Sequence, residues 1–161
     1  MTDKFHQKIH RVISEIEEEL GNIERLLSEL NEHQKEEPRN SFYLRAVGSI
    51  FHDFYCGAER IFERIAEELN GGIPEGENWH IQLLKDMCLQ IEEVRPSVIS
   101  KELVAELKGY LEFRHRFRNI YGFELEWGKM KGLKETMPGV AGRFKKEIQD
   151  FIEFMKKLAE A

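Results

Sequence analysis

The stretch IHRVISEIEEELGNIERLLSEL, Ile9 to Leu30, sets an aliphatic residue at Ile9, Ile13, Ile16, Leu20, Ile23, Leu27 and Leu30, with charged and small polar residues between. Steps of four and three bring these side chains onto one seam of a helix. The heptad spacing predicts a long first helix packed against its neighbours at a shallow angle. Gly21 weakens that helix by about 1 kcal/mol without interrupting the pattern. Pro38, within HQKEEPRN, is expected to end it, because proline has no amide proton and its ring collides with the preceding turn.

The same periodicity recurs down the chain. Asn40 or Ser41 is suited to cap a second helix running to about Leu69, with Val47, Phe51, Phe54, Ala58, Ile61, Ile65 and Leu69 inward. NGGIPEGEN is a stop and a turn. A third helix is expected from about Asn78, burying Leu84, Met87, Cys88, Ile91 and Val94 before a break at Pro96. Ser100 caps the fourth, with Glu102 well placed in its first turn and Leu103, Leu107, Tyr110, Phe113 and Phe117 inward. KETMPGVAG reads as a second breaker, and a final helix carries Val140, Phe144, Ile148, Phe151, Ile152, Met155 and Leu158 on one face. No segment alternates with the period of a strand, and there are no internal repeats. The expectation is an all-α, up-and-down bundle of about five helices forming a single domain over residues 1–161.

Composition narrows the function. At 161 residues and a formal charge of −6, the chain can bury a core but cannot coat nucleic acid by bulk attraction. Any nucleic-acid contact must come from a local basic patch. Cys56 and Cys88 lack metal-type spacing, which points to a reducing compartment. No apolar run approaches a membrane span and MTDKFHQKIHRV does not read as a signal peptide, so no membrane association and a cytoplasmic location are expected.

A local basic patch does exist. In YLEFRHRFRNIYGFELEW, Tyr110 to Trp127, the cations Arg114, Arg116 and Arg118 gather with His115 and Asn119 among aromatic residues. On a continuous helix Arg114, Arg118 and Tyr121 project from one side, beside the apolar flank of Phe113, Phe117 and Ile120. Guanidiniums at the edge of a core are costly to desolvate unless a carboxylate, such as Glu59 or Glu63, or a phosphate meets them. The simpler reading is that arginine stems cover apolar surface and complement a helix C-terminus.

The pattern Arg114-His115-x-x-x-Asn119-x-Tyr121 resembles the signature of the HEPN superfamily, in the arginine–x4–histidine–x–tyrosine form of HepT-type toxins. The resemblance implies a HEPN-like helical domain acting as a homodimer. Two motifs would then share a cleft that cuts RNA without metal or cofactor. It implies Arg114 on the scissile phosphate, His115 and Asn119 in the catalytic constellation, and Arg118 in RNA binding. Tyr121 matches the tyrosine that a minimal nucleotidyltransferase antitoxin modifies with AMP.

One position departs from the pattern. Asn119 stands where the family has histidine, and a carboxamide has no titrating nitrogen to take a 2′-hydroxyl proton. Loss of a general base costs about 10²- to 10⁴-fold in rate. Three alternatives follow: slow cleavage, another histidine serving as base, or a binding module that docks a nucleotide, RNA or a nucleotidyltransferase without cleaving. His115 is the nearest substitute, with His80 and His52 on other helices. A helical protein using its seam only for assembly is the structural reading.

Other groups carry less. His6 and His10 have the spacing to share a metal but no fixed third ligand, and His52, Asp53, Cys56 and Glu59 lie on adjoining turns without a second cluster. No metal site is expected. Arg45 is placed either to join a phosphate cleft or to face solvent, Trp79 to anchor a core or interface, and Trp127 to close the bundle end.

Overall fold

A computed structural model describes residues 3–34 and 40–161. The described residues form an all-helical bundle: α1 Asp3–Glu32, α2 Ser41–Leu69, α3 Trp79–Asp86, α4 Lys101–Phe117, a single 3-10 turn at Gly122–Glu124, and α5 Trp127–Glu160. Pro38 lies outside the described residues. α1 packs on α2 and α5, while α2 also carries α3 and α4.

The seam behaves as its spacing requires. Ile9, Ile13, Ile16, Leu20, Ile23 and Leu30 are buried, Val12 joins them, and Leu27 is half-buried at the edge. Ion pairs flank it: Arg60 to Glu19 at 2.9 Å, Arg64 to Glu15 at 2.5 Å and Lys8 to Glu68 at 3.0 Å tie α1 to α2. Asn40 caps α2 by accepting from the Tyr43 amide at 2.8 Å, and Ser100 caps α4 by accepting from the Leu103 amide at 3.2 Å. Aromatic residues fill the centre, where Phe54 meets Tyr110 edge-on at 5.2 Å and Phe144 at 6.3 Å.

The chain departs from the sequence expectation in two elements. KETMPGVAG does not break the last helix; Pro138 lies inside α5. Its missing amide leaves the Lys134 carbonyl without its helical donor, a cost of about 3 kcal/mol. Pro138 is exposed, whereas Met137, Val140, Ala141 and Phe144 on either side are buried. Burying side chains of that size contributes about 1.5–3 kcal/mol each, so the packed face outweighs the proline. The Tyr110 hydroxyl also braces this turn by donating to the Leu133 carbonyl at 2.7 Å, and burial pushes that phenol up to about 12.

The second departure is α3, which stops at Asp86 although the apolar period continues. Met87 is buried, but Cys88 and Ile91 are only half-buried and Val94 is 41% exposed. Arg95 is the cause. Its buried guanidinium donates to Asn70 Oδ1 at 2.8 Å and to the carbonyls of Leu89, Pro96 and Asp86 at 2.7, 3.0 and 3.0 Å. Carbonyls turned toward a side chain are withdrawn from a helical ladder. Trp127, expected at the bundle end, opens α5 and meets the Tyr43 ring edge-on at 6.4 Å.

Candidate functional site

The last turn of α4 packs across the middle of α2, and this crossing buries one cation. Gly48 permits the approach, since a Cβ there would come within 2.9 Å of the Phe117 ring. Phe113 and Phe117 turn inward from α4, which carries Arg114 under the surface at 4% exposure. Glu59, at 5% exposure on α2, meets it with two parallel bonds of 3.1 Å, from Nη1 to Oε1 and from Nη2 to Oε2. The guanidinium lies 4.9 Å from the centre of the Tyr55 ring, and Nη1 approaches Cys56 Sγ at 3.7 Å. Burial alone would lower the Arg114 pKa, but the Glu59 bonds and charge outweigh it and hold the guanidinium above its ordinary value. Burial, reinforced by the Glu59 charge, pushes the Tyr55 phenol upward, and its hydroxyl is without a hydrogen-bond partner among the described residues.

His80 completes this cluster from the first turn of α3. Its Nδ1 lies 2.8 Å from Glu59 Oε2 and 3.1 Å from Arg114 Nη2. The neighbouring Trp79 ring, with centroids 3.6 Å apart, covers one face of the imidazole. Three helices therefore fix one Arg–Glu–His constellation. Glu59 is the carboxylate partner that the sequence offered for Arg114. His80 was only a remote candidate, because its approach depends on the turn Asn70–Asn78 returning the chain.

Above the cluster opens a groove of about 770 Å³ between α3, α4 and the start of α5. Arg114, His115, Arg116, Arg118, Lys108, Lys129 and His80 line it, opposed by Glu77 and Glu112. Glu59 neutralises Arg114, and Glu126 pairs with Lys129 at 3.2 Å. Arg116, Arg118 and Lys108 make no ion pair among the described residues. Around this hollow Arg116, Arg118 and Lys108 outnumber the carboxylates Glu77 and Glu112, which leaves a local positive excess suited to an anionic ligand in a chain of net charge −6.

The motif is not one continuous helical face. α4 ends at Phe117, and Asn119 donates its side-chain amide to the His115 carbonyl at 2.7 Å, closing the helix C-terminus. Tyr121 therefore leaves the arginine row. It is 70% exposed and stacks on Phe123 at 5.2 Å with the rings nearly parallel. Arg45 of α2 lies against Gly122, where a Cβ would come within 2.5 Å of its Nε, so a larger residue here would displace the Arg45 side chain. Arg114, His115 and Arg118 are thus brought to the groove, while Asn119 and Tyr121 lie on the turn leaving it.

The remaining candidates have local partners. His6 Nδ1 donates to the Ala159 carbonyl, 2.7 Å away, and the ring touches His10 at 4.4 Å between ring centroids. His52 Nε2 lies 3.5 Å from Cys56 Sγ, and burial lowers its pKa, helped by the Arg114 and Arg118 charges against the opposing effect of Asp53. Among the described residues no three His, Cys, Asp or Glu side chains are grouped to hold a metal. No described helix is long and apolar enough to cross a membrane.

With fold and groove in place, comparison with known families is informative. The family described as HepT-like protein matches residues 46–155, about two-thirds of the chain, and includes every residue of the Arg114–Tyr121 motif. The chain belongs to the HepT-like family. No curated protein and no solved structure matches it.

Proposed function

We propose that this chain is the toxin component of a toxin–antitoxin pair, a metal-independent endoribonuclease that binds RNA in the groove beside α4. The observation that carries the reading is the set of unpaired cations, Arg116, Arg118 and Lys108, around one hollow of an acidic protein. Arg118 and Arg116 engage backbone phosphates, where a planar guanidinium matches the paired oxygens. Arg114, neutralised by Glu59, lies beneath the phosphate path and positions Glu59 and His80. The 2′-oxygen attacks the adjacent phosphorus, the bond to the 5′-oxygen breaks, and a cyclic phosphate and a 5′-hydroxyl result. Two protomers juxtapose their grooves in the active homodimer. Tyr121, well exposed on the turn, is the site at which a nucleotidyltransferase antitoxin attaches AMP. Such a group places a bulky anion beside the phosphate path.

The test is incubation of purified protein with varied RNAs in EDTA. Cleavage that falls at least tenfold in Arg118→Ala supports the reading, and RNA left intact by the wild type refutes it.

A second reading retains the groove as a docking site without chemistry. Asn119 favours it, because the carboxamide in the histidine position is engaged in closing α4. Asn119→His separates the two. A wild type that binds RNA without cutting it, together with a variant that cuts, identifies a scaffold that has lost its base.

A further inference from the structure

We propose that His80, outside the family motif, is the general base of this groove, oriented by Glu59; the proposal rests on the ribonuclease reading above. The proton inventory around Nδ1 leads there. Both oxygens of Glu59 accept from Arg114, so the carboxylate acts as an acceptor at this site. An Nδ1 at 2.8 Å from Oε2 must therefore carry the hydrogen and donate it. Arg114 Nη2 also lies 3.1 Å from Nδ1 and could donate its second hydrogen only to a lone pair there; the shorter contact, to a carboxylate oxygen that has no hydrogen to give, takes precedence and puts the hydrogen on Nδ1. In the neutral ring this leaves the lone pair on Nε2. The ring lines the groove with 34% of its side chain exposed, and Nε2 has no partner among the described residues.

The other histidines are less suited. His52 has Nε2 against Cys56, buries Nδ1 and does not line this groove. His115 lines the groove but is exposed and has no side-chain partner among the described residues to orient its ring. His80 is held by a carboxylate on one edge and an indole on one face. A carboxylate behind an imidazole selects its tautomer and stabilises the imidazolium that forms.

The step balances on two histidines. Nε2 of His80 takes the 2′-hydroxyl proton as the 2′-oxygen bonds to phosphorus. The bond from phosphorus to the 5′-oxygen breaks, and His115, entering as imidazolium, gives that oxygen its proton. Proton exchange with water then restores both rings.

The experiment combines the pH profile of RNA cleavage in EDTA with nitrogen-15 NMR of the histidine rings in the wild type. The expected results are a bell-shaped profile and an Nδ1–H tautomer for His80. His80→Asn, checked for native helicity by circular dichroism, is expected to lose about 10²- to 10⁴-fold in rate and the acidic limb of the bell. A wild type that cleaves while His80→Asn retains its rate and both limbs overturns this inference alone. An Nε2–H tautomer also overturns it, on folded wild-type protein. A wild type that cleaves nothing removes the ribonuclease reading and this inference together.

Discussion

Replacing Arg114 by alanine removes a buried cation and leaves its partner in place. Glu59, 5% exposed in the wild type, keeps its contact with His80 but loses both bonds from the guanidinium. Breaking a buried pair from one side costs about 3–5 kcal/mol, because the surviving charge stays desolvated with only the bond from His80 to meet it. For a chain of this length each kcal/mol shifts Tm by about 2–4 °C, so a fall of about 6–20 °C is expected. Removing both charges avoids that penalty. Arg114→Met combined with Glu59→Leu fills similar volume, and it is expected to be more stable than either single variant. Thermal and urea unfolding of wild type, Arg114→Met, Glu59→Leu and the double variant close the cycle, with coupling of at least about 2 kcal/mol expected. Single losses below about 1 kcal/mol that simply add would refute a buried, mutually dependent pair. The same cycle guards the functional tests, since lost activity in an Arg114 variant mixes chemistry with stability.

Three further outcomes follow from local geometry. Gly21 is exposed within α1 and a Cβ there meets nothing within 4 Å, so Gly21→Ala is expected to add about 1 kcal/mol, read as a rise in Tm. Burial, then the charges of Glu59 and Glu67, raises the Glu63 pKa. A raised carboxyl favours the fold below the ordinary carboxylate range and loses that benefit as pH rises through its folded value. Glu63→Gln is therefore expected to gain about 0.5 kcal/mol at pH 7 and nothing at pH 3 in urea titrations. Under the proposed function, intact-mass measurement after co-expression with a nucleotidyltransferase encoded beside this chain is expected to show added AMP on the wild type and none on Tyr121→Phe.

Much of the bundle was legible because its signals are local. The seam from Ile9 to Leu30 and the caps Asn40 and Ser100 depend on neighbours within a turn or two. Pro138 misled because its backbone cost is local, whereas the packing that overrides it comes from Met137, Val140 and Phe144 against other helices. The length of α3 was hidden for the same reason: Arg95 gathers acceptors from Asn70 to Pro96, and nothing in its immediate sequence marks it as buried.

The site divides the same way. The spacing from Arg114 to Tyr121 was readable, and Glu59 was a candidate partner because a buried guanidinium demands a carboxylate. The place of Tyr121 was not readable, since the helical projection assumes a helix that ends at Phe117. The role of His80 was obscured by a nine-residue turn whose path no local pattern reveals.

The central claim is that RNA lies in the groove between α3, α4 and the start of α5, and resonance mapping tests it most directly. Titrating nitrogen-15-labelled protein with a short RNA carrying a 2′-O-methyl group at each linkage prevents cleavage while preserving the phosphates. The account predicts that the amides of Arg114–Arg118 and Lys129, with the His80 ring, shift together and saturably, and that the shifts shrink with added salt. Shifts confined to α1 or the far end of α5, or none at millimolar RNA, would contradict it.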